Sequence, residues 1–186
     1  MNYLQIIVYV TLQFIMGQAV ESVNAKLFEE SQTVNASACE FMELVLKSLE
    51  QHKKESADIS HLIIRPILKT FRQNIENKNN AMQVNMLNLL KVLLFQSNFL
   101  EQAKEKQYVA LYKSSYLIDS LVLGMKNEVS FVRMHFIQFV CELIQPMNQI
   151  LQKQQEFANH MKSLMECFCE LLKKVDVTIY STQSEQ

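Results

Sequence analysis

The sequence predicts an all-α protein whose helices form repeating two-helix units. The chain of 186 residues contains only two Gly and two Pro, and few stretches alternate between apolar and polar residues as half-buried strands do. Apolar residues instead recur at intervals of three and four, which is the spacing of one helix face. One such helical pattern also occurs three times at a constant interval, and this recurrence predicts the repeating units.

The recurring pattern is clearest in residues 80–99, which predict the central helix. A shift of 48 residues towards either end of the chain places it on a similar pattern, in residues 34–45 and in residues 130–141. The apolar positions of the central copy are Met82, Met86, Leu89, Leu90, Val92, Leu93 and Leu94. The positions aligned with them include Val34, Phe41 and Met42 in the first copy and Met134, Ile137, Val140 and Cys141 in the last. The three copies are predicted to be the second helices of successive units.

Residues 2–20 form the most apolar stretch of the chain and allow three interpretations. A membrane-spanning helix needs about 20 apolar residues, and polar side chains interrupt this run at four positions. A secretory signal peptide would cover residues 1–19 with cleavage after Ala19, although no Lys or Arg precedes Lys26. The favoured interpretation is a buried first helix that pairs with residues 37–49.

The remaining helices are predicted from the same spacing, at residues 57–75, 108–125, 129–146 and 150–174. Pro66 should kink or divide the first of these, because proline removes a backbone hydrogen bond. Gly124 is expected to cap the second in a left-handed conformation, and Pro146 is expected to end the third. Residues 1–175 are predicted to form a single helical repeat domain, followed by a disordered polar tail over residues 176–186.

Helix starts are predicted at polar breaks, where short Asn, Ser and Thr side chains accept hydrogen bonds from unpaired backbone amides. The break before the first copy comprises Gln32 and Thr33, with Asn35 and Ser37 close behind. The breaks before the other two copies are residues 77–80 and 126–128. Each of the three recurring helices is therefore expected to begin just after its own break.

The segment NEVSFVRMHFIQFVCELI, residues 127–144, resembles the second part of a HEAT unit: a polar turn containing Val132 and Arg133, followed by an inward-facing apolar helix. The turn lacks the Pro and Asp that are usual in HEAT units, and Arg133 has no counterpart at Asn85. A period in the mid-forties is typical of stacked HEAT and armadillo repeats. The resemblance implies a right-handed α-solenoid of about three and a half two-helix repeats. The alternative is a single irregular helical bundle.

The run from Gln83 to Phe99 is also similar to repeats in very large helical scaffold proteins of the Dopey type. This resemblance covers under a tenth of the chain. It implies that the chain is part of a larger assembly that acts in membrane traffic.

Composition and motifs weigh against several classes of function. The formal net charge is −1, so the chain lacks the positive field that binds nucleic acid. Glycine-rich phosphate loops, paired CxxC motifs, HExxH and GxSxG are all missing from the sequence. We therefore expect neither an enzyme nor a bound cofactor, and membrane association only indirectly or through residues 1–20.

The four cysteines are predicted to be reduced thiols in the core of a cytoplasmic protein, because they fall on apolar helix faces in a chain large enough to fold without disulfides. They are Cys39, Cys141, Cys167 and Cys169. His160 and Cys167 could share one helix face, but Cys169 points elsewhere on the same helix, so the three cannot converge on one metal ion.

The sequence thus predicts a non-enzymatic scaffold for protein partners. A basic stripe of Arg65, Lys69 and Arg72 is the candidate site for an acidic partner segment, although such stripes are usually solvated. The alternative is a secreted helical protein with disulfides, a signal peptide over residues 1–19 and a sugar on Asn35 of the sequon Asn-Ala-Ser.

Overall fold

A computed structural model describes residues 3–16, 25–48, 53–95, 115–151 and 154–183. Within these ranges every regular element is a helix, which confirms the all-α prediction. The helices are α1 (Tyr3–Met16), α2 (Ala25–Ser48), α3 (Lys53–Glu76), α4 (Asn80–Phe95), α5 (Ser115–Met125), α6 (Ser130–Leu151) and α7 (Gln155–Gln183). None of these helices is long and apolar enough to cross a membrane.

The helices pack in a regular pattern of neighbours. Helix α1 packs against α2, α3 against α4, and α5 against α6. The odd-numbered helices also contact one another in chain order, α1 with α3, α3 with α5 and α5 with α7, while α2 contacts α4 and α4 contacts α6. Helix α4 therefore lies between α2 and α6 and rests on α3.

The centre of the core is α4, as its apolar pattern predicts. Six of the seven predicted apolar positions are buried, and the seventh, Val92, packs against the core with part of its surface exposed. Leu87 and the polar Gln83 are buried as well. Since these two lie outside the predicted stripe, α4 is covered over more of its circumference than its apolar pattern indicates.

The constant interval of 48 residues is wrong as a structural alignment of the helices. It places Met134 and Cys141 inward, yet Met134 is 69% exposed and Cys141 is also exposed. The buried positions of α4 and α6 instead match at an interval of 50 residues. Lys78 and Glu128, whose side chains form an ion pair, are separated by the same 50 residues in sequence. A shift of two residues rotates a helix by about 200°, so the small error turned the predicted face outwards.

The alignment between α2 and α4 needs a different correction. Buried Cys39 and Met42 match buried Met86 and Leu89 at an interval of 47 residues. The first of these pairs is in contact, because Cys39 Sγ lies 4.0 Å from Met86 Sδ. Phe41, which the constant interval placed inward, is 46% exposed. The units therefore differ in length by a few residues.

Several predicted helix ends are also wrong. Helix α2 already begins at Ala25 and runs through the polar break at residues 32–37. Helix α3 runs continuously through Pro66, and α6 continues past Pro146 to Leu151. Pro146 and its neighbours on the inner face are buried, and this tertiary packing offsets the hydrogen bond that proline removes.

Gly124 does not act as a left-handed cap. It lies within α5, and the ring of Phe136 from α6 packs directly over its Cα. Among the described residues other than glycine, Lys78 is left-handed, with φ of 56°, in the turn between α3 and α4. Gly124 is thus required for the close approach of α5 and α6 rather than for chain reversal.

The last helix extends through residues 176–183, where the sequence predicted a disordered tail. Residues 184–186 lie outside the described ranges, as do 96–99 and 108–114 at the ends of two predicted helices. The assignment of residues 1–175 to one domain remains a prediction.

Candidate interaction surfaces

The turns at one edge of the molecule are joined by a network of amides. Asn127 Nδ2, just before α6, donates hydrogen bonds to Asn80 Oδ1 at 2.9 Å and to Gln83 Oε1 at 3.0 Å. The buried Gln83 side chain in turn donates to the carbonyl of Asn74 at 3.1 Å. Both polar ends of Gln83 are therefore satisfied, as burial requires.

We predict that Asn127→Ala destabilises the protein by about 1–3 kcal/mol, because it leaves the buried Gln83 oxygen without the donor from Asn127. In a cycle with Gln83→Leu, measured by chemical unfolding, the double variant should lose less stability than the sum of the single losses. Asn88→Ala, on the exposed face of α4, is the matched control. Additive losses would show that the two amides do not act together.

A cleft of about 320 Å³ lies beside this network. Its walls come from the turns that follow α3 and α5, and they are lined by Ile75, Glu76, Lys78, Asn80, Leu123, Lys126, Asn127, Glu128 and Val129. Two lysines in the walls are already paired, Lys78 with Glu128 at 3.2 Å and Lys126 with Glu170 at 2.8 Å. These exposed pairs contribute little to stability, and they balance the charge of the cleft.

The predicted basic stripe on α3 is divided by the structure. Arg65 and Lys69 are exposed, one helical turn apart on the outer face. Arg72 is instead held by the fold: its Nε donates to Glu76 at 2.6 Å, and its guanidinium lies 5.9 Å from the ring centroid of Tyr116 on α5. Such a contact has the geometry of a cation–π interaction. Of the three predicted stripe residues, Arg65 and Lys69 therefore have solvated charges.

The cysteines differ from the prediction in position. None of the four forms a disulfide, but only Cys39 and Cys167 are buried, whereas Cys141 and Cys169 are exposed. Burial raises the pKa of the Cys39 thiol to about 12, with smaller contributions from Glu43 and Glu40. A thiol of such high pKa is a poor nucleophile. Among the described residues, no group of three His, Cys, Asp or Glu side chains could hold a metal ion.

Because the pKa of Cys39 is higher in the folded state than its ordinary value of 9.0, its contribution to stability depends on pH. It is fully present below about pH 9 and is lost as the pH rises towards 12, at about 1.4 kcal/mol per pH unit. Chemical unfolding between pH 8 and 10.5 should show a steeper loss for the parent than for Cys39→Ala. Parallel curves would contradict the raised pKa.

Helix α1 carries two apolar faces. Val8, Leu12 and Ile15 are buried against the neighbouring helices, so the predicted burial of this helix holds for one face alone. The other face is exposed to solvent and contains Tyr3, Ile6, Ile7, Val10 and Phe14, with Tyr9 beside it. The helix contains no charged residue. A large exposed apolar patch of this kind is characteristic of an interaction surface.

A second uncovered apolar surface lies at the other end of the helix order, on α6 and α7. Its most exposed members are Phe131 (64%), Met134 (69%), Met165 (52%) and Leu172 (64%). The 48-residue interval misassigned Met134 as a core residue, so the sequence pattern did not identify the α6 part of this surface. The correct register between α4 and α6 would have placed it outside.

No protein-family model, curated protein sequence or solved structure matches this chain.

Proposed function

We propose that this chain is a non-enzymatic scaffold for protein–protein interactions, built as a right-handed α-solenoid segment of about three and a half two-helix units. The observation that supports it best is the pairing of the helices. Each even-numbered helix packs on the odd-numbered helix before it, and both kinds contact the previous and next helices of their own kind. Stacked two-helix repeats have this arrangement of neighbours, whereas a closed bundle surrounds one shared core.

The burial pattern supports repetition of the same unit. At an interval of 50 residues, Ile67 and Phe71 on α3 correspond to Leu117 and Leu121 on α5, and all four are buried. The buried small polar residues Thr70 and Ser120 correspond at the same interval. The first and second helices of two successive units thus share one register.

The distribution of polar and apolar side chains favours binding over catalysis. The buried amides of the turn edge are used to join α4 to α6, while large apolar side chains remain exposed on α1, α6 and α7. Extended apolar surfaces on a stacked scaffold suit protein partners. The suggested membership of a larger assembly in membrane traffic rests on the resemblance of residues 83–99 to Dopey-type proteins alone.

Affinity purification of the full chain from native extract, with quantitative mass spectrometry, tests the proposal. We expect a defined set of proteins to be retained by the parent and lost from a variant with a charge on the uncovered face of α1, such as Val10→Glu. Asn88→Glu, on the exposed face of α4, is the control for added charge. Arg65→Glu with Lys69→Glu tests the basic stripe separately. Failure of the parent to retain any protein would contradict the scaffold function.

The same preparation separates the scaffold from a secreted protein. The burial of Val8, Leu12 and Ile15 favours retention of α1 in the mature chain, since its removal would expose the core. A native mass that lacks the first 19 residues, or that includes a sugar on Asn35, would support secretion instead.

A further inference from the structure

One side of α4 and the corresponding side of α6, 50 residues later in sequence, differ in burial. The corresponding positions are Gln83, Leu87 and Leu94 on α4 and Arg133, Ile137 and Ile144 on α6. On α4 they are at most 3% exposed, and helical periodicity places them within about 40° of one another on one side. Gln83 accepts a hydrogen bond from Asn127, the residue that leads into α6, so this is the side on which α6 packs. On α6 the same positions are only half-buried.

Helix α7 is uncovered in a matching way. Its apolar face is buried along one edge, where Leu164 and Cys167 lie and where Cys167 Sγ is 3.9 Å from the carbonyl oxygen of Val122 on α5. Burial decreases around the helix through Phe168, which is half-buried, to Met165 and Leu172, which are exposed. The apolar face of α7 is therefore wider than the part that its neighbours cover.

These two uncovered edges define a surface that we name the terminal slot, formed by Ile137 and Ile144 of α6 with Met165, Phe168 and Leu172 of α7. Helices α6 and α7 contact each other, so the two uncovered edges belong to neighbouring helices. It corresponds to the place that α6 itself occupies beside α4 and on α5, one unit further along. A helix lying in it would be the second helix of the fourth unit.

We propose that the terminal slot binds one amphipathic helix of a partner protein, whose apolar face is flanked by acidic residues. The proposal rests on the proposed function, because the repeat register defines the slot. Basic side chains border it, Arg133 on α6 with Lys162 and Lys173 on α7, against the carboxylate of Glu166, which lies 3.9 Å from Lys162. Three cationic side chains against one carboxylate give this rim a positive charge, which favours acidic flanks on the incoming helix.

A second copy of the chain fits the slot less well. Its uncovered apolar helix, α1, is anchored in its own core by Val8, Leu12 and Ile15, so it could enter the slot only by leaving that core. Helix α1 also has no acidic residue to match the basic rim. A separate helix requires neither cost.

Fluorescence anisotropy with a synthetic peptide tests the slot in the full chain. The probe is a labelled amphipathic helix of about 18 residues, long enough to span five turns, with Leu and Met on one face and Glu along both flanks. We expect saturable binding to the parent, at least about tenfold weaker binding to Leu172→Glu, and a similar loss for a peptide with Lys in place of Glu. Leu44→Glu, an equally exposed site on α2 (62%), should bind as the parent does.

Leu172 is 64% exposed, so Leu172→Glu should melt as the parent does and report on binding alone. Equal binding to Leu172→Glu and the parent, or no binding to either, would overturn the proposal. It would also fail if the parent were a dimer that Leu172→Glu made monomeric, or if the variant lost affinity for anionic phospholipid vesicles and not for the peptide. Native partners retained equally by parent and Leu172→Glu would leave the scaffold function standing without the slot.

Discussion

We expect Leu90→Asp to abolish the cooperative thermal transition of this protein, because it places a carboxylate in the most enclosed part of the core. Leu90 is 0% exposed on α4, the helix that contacts α2, α3 and α6. An unpaired charge buried at such a site costs more than about 4 kcal/mol, a large part of the 5–15 kcal/mol that is typical of a domain. Circular dichroism at 222 nm during heating is the measurement.

The control for Leu90→Asp is Asn88→Asp, two residues earlier on the exposed face of the same helix. It adds the same charge to the same helix without burying it, and should change the unfolding free energy by no more than about 0.5 kcal/mol. If both variants melted at the parent's temperature, α4 would not be a core helix.

Gly124→Ala has the next largest expected effect. A Cβ at this position would overlap three ring atoms of Phe136, which is fully buried and stacked on Phe71 with ring centroids 5.7 Å apart. The enclosed ring cannot move aside without displacing Phe71, so the overpacking should cost about 1–3 kcal/mol. Chemical unfolding should therefore show destabilisation, although alanine alone favours a helix over glycine by about 1 kcal/mol.

The opposing sign of these two effects gives the substitution an internal control. In a Phe136→Ala background, itself weakened by about 3–5 kcal/mol, the overlap is gone and Gly124→Ala should stabilise by about 1 kcal/mol. A substitution that remained equally destabilising in both backgrounds would show that Phe136 is not the reason for the glycine.

The sequence was sufficient to predict the helices of the core and which of them is central. Apolar residues at helical spacing were enough to locate α4, because the apolar Met82, Met86 and Leu90 of this pattern are all buried in the core. The pairing of residues 2–20 with residues 37–49 was likewise visible in two adjacent apolar segments, and α1 does contact α2. Strong local periodicity and burial agree in these segments.

The faces of α2 and α6 could not be predicted by one repeated interval, because the units differ in length by a few residues. An error of one residue rotates a helix by about 100°, which is why Phe41 and Met134 were assigned inward and lie outward. A side chain such as Phe131 carries no local sign of whether another helix will cover it. Whether such a side chain is covered depends on how the helices pack against one another.

The polar residues of the turn edge were the features that sequence reasoning missed. Gln83 appeared to be an ordinary polar position, yet it is fully buried because Asn127, 44 residues later, supplies its donor. The same helix contains Asn88, an uncharged amide that is exposed, so no local feature of the sequence distinguishes Gln83. Arg72 was predicted to face a partner because its contact with Tyr116, on another helix, is not visible in the local sequence.

Native-state hydrogen exchange distinguishes a stack of two-helix units from a single closed bundle. A stack opens from its ends, so amides in α1 and α7 should exchange through openings of lower free energy than those in α3 and α4. A stacked arrangement predicts this gradient along the chain, with the highest protection in α4. Equal opening free energies in α1, α4 and α7 would indicate one closed bundle and contradict it.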